Sequence, residues 1–140
     1  MQKKTVGIDR IQDIRLLTSS HLHSVLQTCD PKHKQLLYNA IEKLYTCDIQ
    51  KHAKCSFTLN KRVIYLKLEN LHGVPYEDCV IVKVLIHELV HMLQAQYGHD
   101  DEFWRINRIL YPARFGCTIP ADYACITDGV EGSLGVDRHV

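Results

Sequence analysis

The sequence predicts an α+β domain, and three features of its patterning predict it. Two N-terminal stretches space their apolar residues three and four apart, as one face of a helix does. Two short stretches in the middle alternate apolar and polar residues, as half-buried strands do. A long apolar run, Cys79 to Leu93, then has helical character and is followed by a second helical stretch. The chain has 140 residues, 46% apolar and 24% charged, which suits one ordinary globular domain over residues 1–140 with a modest core. A net charge of +1 supplies neither a whole-chain basic field for nucleic acid nor an acidic field for basic partners.

Each element follows from local pattern. Residues 1–10 are polar and expected to fray. Ile11 to Cys29 carries Ile14, Leu17, Leu22, Val25 and Leu26 as an apolar stripe. Asp30-Pro31 is an N-cap followed by proline at the first helical position. The helix it opens runs to about Tyr45, with Leu36, Leu37, Ala40, Ile41 and Leu44 on its apolar face. Ser56 to Leu59 and Val63 to Leu68 alternate with period two around a turn-like Asn60-Lys61-Arg62, so a β-hairpin is expected. His72-Gly73-Val74-Pro75 breaks the pattern. Tyr76 to Tyr97 reads as the central helix, with Glu77 and Asp78 at its positive end and Gly98 closing it. Asp100 or Asp101 caps a short helix carrying Phe103, Trp104, Ile106, Ile109 and Leu110, which Pro112 stops. Residues 113–140 form an irregular tail, partly packed through Phe115, Ile119, Tyr123 and Ile126.

The six cysteines (Cys29, Cys47, Cys55, Cys79, Cys117 and Cys125) form no C-x-x-C pair, so a zinc ribbon or redox motif is not expected. The N-terminus lacks an apolar signal core, so the thiols are expected to be free, with Cys79 in the core of the central helix. The longest apolar run is interrupted by Lys83, His87, Glu88 and His91, so no membrane span is expected and a cytoplasmic or nuclear location is the default.

Within that run, His87-Glu88-Leu89-Val90-His91 reads H-E-x-x-H. Residues four apart share a helix face, so His87 and His91 can bind one metal ion, with Glu88 placed to take a proton from water there. Lys83, His87, His91 and Gln94 form one polar stripe on an otherwise apolar helix. Such a stripe lines a cleft or simply faces solvent. A catalytic zinc needs a third protein ligand. His99 is the first candidate, because Gly98 can reverse the chain and swing it back. Glu102 is a rival; Asp100 and Asp101 have competing work as helix caps or as acceptors for an imidazole N–H. His21, His23, His33, His52, His72 and His139 lack such a context and are expected at the surface.

His87 to His91, followed by Gly98-His99-Asp100-Asp101-Glu102-Phe103-Trp104, resembles the WLM and SprT-like zinc metallopeptidases and the related YgjP-like proteins. These carry H-E-x-x-H and then a third histidine followed four residues later by an aromatic. The resemblance covers roughly residues 30–112. It implies a minimal zincin-like domain of N-terminal helices, a β-hairpin or small sheet, the active-site helix and a short following helix. It also implies Zn2+ held by His87, His91 and His99, with Phe103-Trp104 anchoring the helix behind them. The spacing from His91 to His99 is longer than is usual in WLM and YgjP-like chains, and the zinc ribbon that follows many SprT-like domains is absent.

The expected function is zinc-dependent peptide hydrolysis with Glu88 as general base. A strand of the hairpin, Val63–Leu68 first among them, is expected to pair with an extended protein or peptide substrate; Tyr97, Tyr111 and Arg105 are the candidates for stabilising the oxyanion, and packing or surface exposure explains each equally well. The alternative is a zinc-stabilised protein- or DNA-binding module with no useful turnover. A metal-free helical protein with a coincidental motif is the third option. WLM and SprT-like proteins act on proteins crosslinked to DNA. Lys51, Lys54, Lys61, Arg62 and Lys67 around the hairpin, and Arg105, Arg108 and Arg114 beyond it, are the basic groups that such a role would use; ordinary solvated charge explains them as well.

Overall fold

A computed structural model describes residues 8–127. Of residues 1–10, expected to fray, residues 8–10 instead open the first helix; residues 1–7, tail residues 128–140 with His139, and the Cys125 side chain lie outside the described residues. The described chain is α+β. Helix α1 (Ile8–Thr28) leads through a single 3-10 turn, Pro31–His33, into α2 (Lys34–Thr46). Strands β1 (Asp48–Lys51), β2 (Phe57–Leu59) and β3 (Val63–Leu66) follow, then α3 (Asp78–Leu93), α4 (Asp101–Leu110) and a short α5 (Tyr123–Ile126).

Helix α1 buries Ile11, Ile14, Thr18, Leu22 and Val25. The stripe therefore runs through Thr18, and Leu17 is exposed. Asp30 does cap, accepting from Lys32 N at 3.0 Å with Pro31 behind it, but the element it opens is the 3-10 turn; α2 starts after His33, which makes no side-chain cap bond. Helix α2 buries Leu37, Ala40 and Leu44 against α1 and α3.

The hairpin forms, with Phe57 opposite Tyr65 and Leu59 opposite Val63. Asn60 and Lys61 both adopt positive φ, 53° and 54°. Asn tolerates this conformation and Lys does so at a cost. β1 was not expected: it lies parallel to β3, giving the order β1-β3-β2. Four residues with a single buried member, Ile49, carry too little alternation to announce a strand. Because β3 is central, both its edges are taken, and the expectation that Val63–Leu68 receives a substrate strand is corrected.

Helix α3 is the hub, packing on α1, α2, α4, β2 and β3. Every residue from Val80 to Met92 except Lys83 is buried. Cys79, expected in the core, is exposed, because the first turn of α3 points Val80 and Ile81 inward and leaves Cys79 on its outer face. Cys29, Cys47, Cys55, Cys79 and Cys117 are free thiols. No helix among the described residues is long and apolar enough to cross a membrane.

The polar segments before and after α3 are tied down by side chains. Arg10 donates to the Tyr76 carbonyl at 2.7 Å and pairs with Asp78 at 2.8 Å. Tail residue Asp122 accepts the Tyr76 hydroxyl proton at 2.5 Å, and Ser56 N donates to Ile126 O at 2.6 Å. The tail is thus docked on the sheet through a parallel bridge between Ser56 and Thr127.

Candidate metal centre

Helix α3 ends at Leu93, four residues before the expected Tyr97. The reason is competition for backbone groups. Lys61 Nζ donates to the Gln94 carbonyl at 2.5 Å, the Glu102 carboxylate accepts Ala95 N at 3.0 Å, and the Gln94 amide donates to the Gly98 carbonyl at 3.0 Å. Side chains therefore hold residues 94–98 in an irregular turn that a helix would otherwise satisfy. Gly98 does take a positive φ, 116°, as the chain reverses, but as part of this turn and not as the helix cap. Asp100 is the cap of α4, accepting from Phe103 N at 2.9 Å.

The turn returns His99 to the helix. His87, His91 and His99 each offer one ring nitrogen within 4.8 Å of the others, a group able to hold a metal ion. The Nε2 atoms of His87 and His99 are 3.3 Å apart. All three rings pack on Phe103, with centroids at 4.8, 4.7 and 4.7 Å. Phe103 is fully buried, so the floor beneath the imidazoles is rigid and dry. Trp104 stands at the side of the group, 5.7 Å from His99 and 38% exposed. The polar stripe is not an open cleft wall: His87, His91 and Gln94 are 8%, 5% and 1% exposed, and access lies on the side of the half-buried His99.

Hydrogen-bond chemistry sets the form of His91. The Gly98 carbonyl can only accept, so the nitrogen of the Gln94 amide faces it. The amide oxygen therefore faces His91 Nδ1, 2.5 Å away, and that nitrogen must carry the proton. The lone pair of His91 is left on Nε2, the nitrogen that would meet a metal ion.

Glu88 is fully buried beside His87. The Thr58 hydroxyl lies 2.7 Å from Glu88 Oε1 and 3.0 Å from the Glu88 carbonyl. One hydroxyl proton serves one acceptor at a time, and the carboxylate is nearer and stronger. Strand β2 thus positions Glu88. Thr58 carried no signal in the sequence, being one residue of an alternating strand. Gln94 did: it stands three residues after His91 on the same stripe.

Other candidate residues separate. Glu102, the rival ligand, is engaged at Ala95 N. Tyr97 stays near, its ring 6.0 Å from His91 and its hydroxyl accepting Lys61 N at 2.9 Å. Tyr111 stacks on His21 at 4.9 Å and lies under Lys83 Nζ at 4.4 Å, while Arg105 lines a different cleft. His21, His33 and His52, expected at the surface, are half-buried; His23 and His72 are exposed. His21 donates from Nε2 to the Leu110 carbonyl at 2.8 Å, and His52 Nδ1 accepts from Lys54 N at 3.2 Å. The basic group around the hairpin is also smaller than expected. Lys67 is buried, Lys61 is bound to Gln94 O, and Lys51 pairs with Glu69 at 3.8 Å.

No family model matches the chain. A stretch of 56 residues is 41% identical to the uncharacterized protein 042R of Invertebrate iridescent virus 3, covering 39% of this chain and 35% of the viral protein. The chain therefore aligns with about a third of that relative's length. No solved structure matches.

Proposed function

We propose that the chain is a zinc-dependent metallopeptidase with a minimal zincin-like fold, resembling the WLM and SprT-like enzymes. The observation that carries this is the convergence of His87, His91 and His99 beside a buried carboxylate, Glu88, on the same helix. Two ligands of a tetrahedral zinc with bonds of about 2.0–2.1 Å lie about 3.3–3.4 Å apart. The His87–His99 nitrogen separation of 3.3 Å fits that spacing. Three neutral imidazoles, one tautomer being set by Gln94, are the donor set of a catalytic site that leaves a position open.

When bound, zinc supplies a Lewis acid that acidifies water and polarises a carbonyl. Glu88 takes the proton and passes it to the leaving amine, with Thr58 holding the carboxylate in place. Phe103 keeps water away from the rear of the histidines. The outer edge of β2, which carries Thr58, is the sheet edge next to Glu88 and the natural place for an extended peptide to add as a strand. Its Ser56 end is taken by Thr127, so the substrate is confined to Phe57–Leu59.

The alternative, a zinc-stabilised binding module, gives Glu88 no task. Burying a carboxylate is costly, and a purely structural site has no need of one. Glu88→Gln is the test: hydrolysis of unfolded protein or peptide substrates is abolished while zinc stays bound. Undiminished hydrolysis in that variant sinks the proposed mechanism.

A further inference from the structure

A cleft that the histidine group does not line lies beside α4. It measures about 380 Å³ and is formed where the C-terminal end of α1, the 3-10 turn and α4 meet. Arg105, Arg108 and Arg114 line it together with His33, over an apolar floor of Val25 and Ile109. Its one carboxylate, Asp30, is already engaged at Lys32 N. The geometry points to a binding site for a phosphate-bearing ligand in this cleft.

Charge accounting supports it. The chain holds 17 Lys and Arg against 16 Asp and Glu, so acids to pair with are plentiful. Acids pair with other bases, as in Arg10–Asp78 and Lys51–Glu69, and among the described residues no ion pair is seen at the three arginines. Gathering like charges raises the energy of the folded chain unless an anion offsets it. The dipole of α4 accounts for Arg108 in its last turn, but not for Arg105 or for Arg114 beyond it. Arg114 is also held ready: Nη2 donates to Thr28 Oγ1 at 2.7 Å, and the guanidinium lies 4.6 Å from the Phe115 ring. Forked guanidinium groups suit phosphoryl oxygens, and Arg105, Arg108 and Arg114 are all exposed, within reach of a ligand. None of His87, His91 and His99 lines the cleft, so binding there does not depend on metal at the histidine group.

Two sources can supply this phosphate chemistry, a free nucleotide or a polynucleotide backbone. Fluorescent ATP and a short fluorescent oligonucleotide are titrated against the full chain at low ionic strength. Arg105→Gln/Arg108→Gln is titrated beside it, with zinc content and thermal melting matched. At least tenfold weaker binding by the variant is expected. Tighter binding of ATP identifies a small phosphate ligand. Tighter binding of the oligonucleotide, with a salt dependence of about three released counterions, identifies a backbone. If the double variant melts early, Arg108→Gln alone carries the comparison. No binding of either probe, or equal binding by wild type and variant, overturns the site.

Discussion

The Nδ1 proton of His91 is donated to the side-chain oxygen of Gln94 at 2.5 Å. The same amide donates to the Gly98 carbonyl, one residue before His99. One buried side chain thereby fixes the tautomer of one histidine and the path that delivers another. Gln94→Leu is expected to weaken zinc binding about 10–100-fold, the range for loss of such a supporting partner. Gln94→Glu keeps the acceptor for His91 but loses the donor to Gly98, so its affinity should fall between those of wild type and Gln94→Leu. Zinc titration against a competing chelator measures both. Equal affinity in all three proteins contradicts the role.

Thr58 reaches Glu88 from the neighbouring strand. Thr58→Val keeps the shape and removes the hydroxyl. Peptidase kcat is expected to drop roughly tenfold, about 1.4 kcal/mol of barrier, with zinc content unchanged. Thr58→Ser should restore most of it. A loss that Ser fails to rescue assigns the effect to packing in β2.

His21 is pressed between Tyr111 and Phe115 and donates to the Leu110 carbonyl. Burial, and then the Arg114 charge, hold its pKa below the ordinary 6.5; the bond to Leu110 opposes them. The folded state thus binds this proton less readily than the unfolded state. Its contribution to stability is fully present above pH 6.5 and is lost as pH falls through that value toward the lowered folded pKa. His21→Gln should flatten that part of the stability–pH curve in urea melts. An unchanged slope removes His21 as its source.

Burial, and then the adjoining Cys79 thiol, push the Cys117 thiol up to about 12. Only the thiolate alkylates readily. At pH 8, iodoacetamide should therefore label Cys117 far more slowly than the exposed Cys79. Peptide mass mapping over time reads the two rates, and equal rates contradict the burial argument.

The helices and hairpin were legible because each buries one periodic face: Leu37, Ala40 and Leu44 on α2, and Ile64 and Leu66 on β3. His87 and His91 were legible for the same reason, four residues apart in an apolar run. What escaped was decided between elements. β1 is held by a parallel neighbour fifteen residues away in sequence, Asp48 against Val63. The early end of α3 depends on Lys61, Glu102 and Gln94 competing for backbone groups, and apolar periodicity does not report that competition. Lys67 looked like surface charge and is buried, its backbone N donating to Ser56 Oγ at 2.8 Å.

The central claim is a three-histidine zinc centre completed by His99. Elemental analysis of the purified chain and of His99→Ala, prepared without chelators, tests it most directly. About one zinc per chain, lost or sharply reduced in the variant, is the predicted result. Absence of zinc from the wild-type chain, or full retention in His99→Ala, contradicts it.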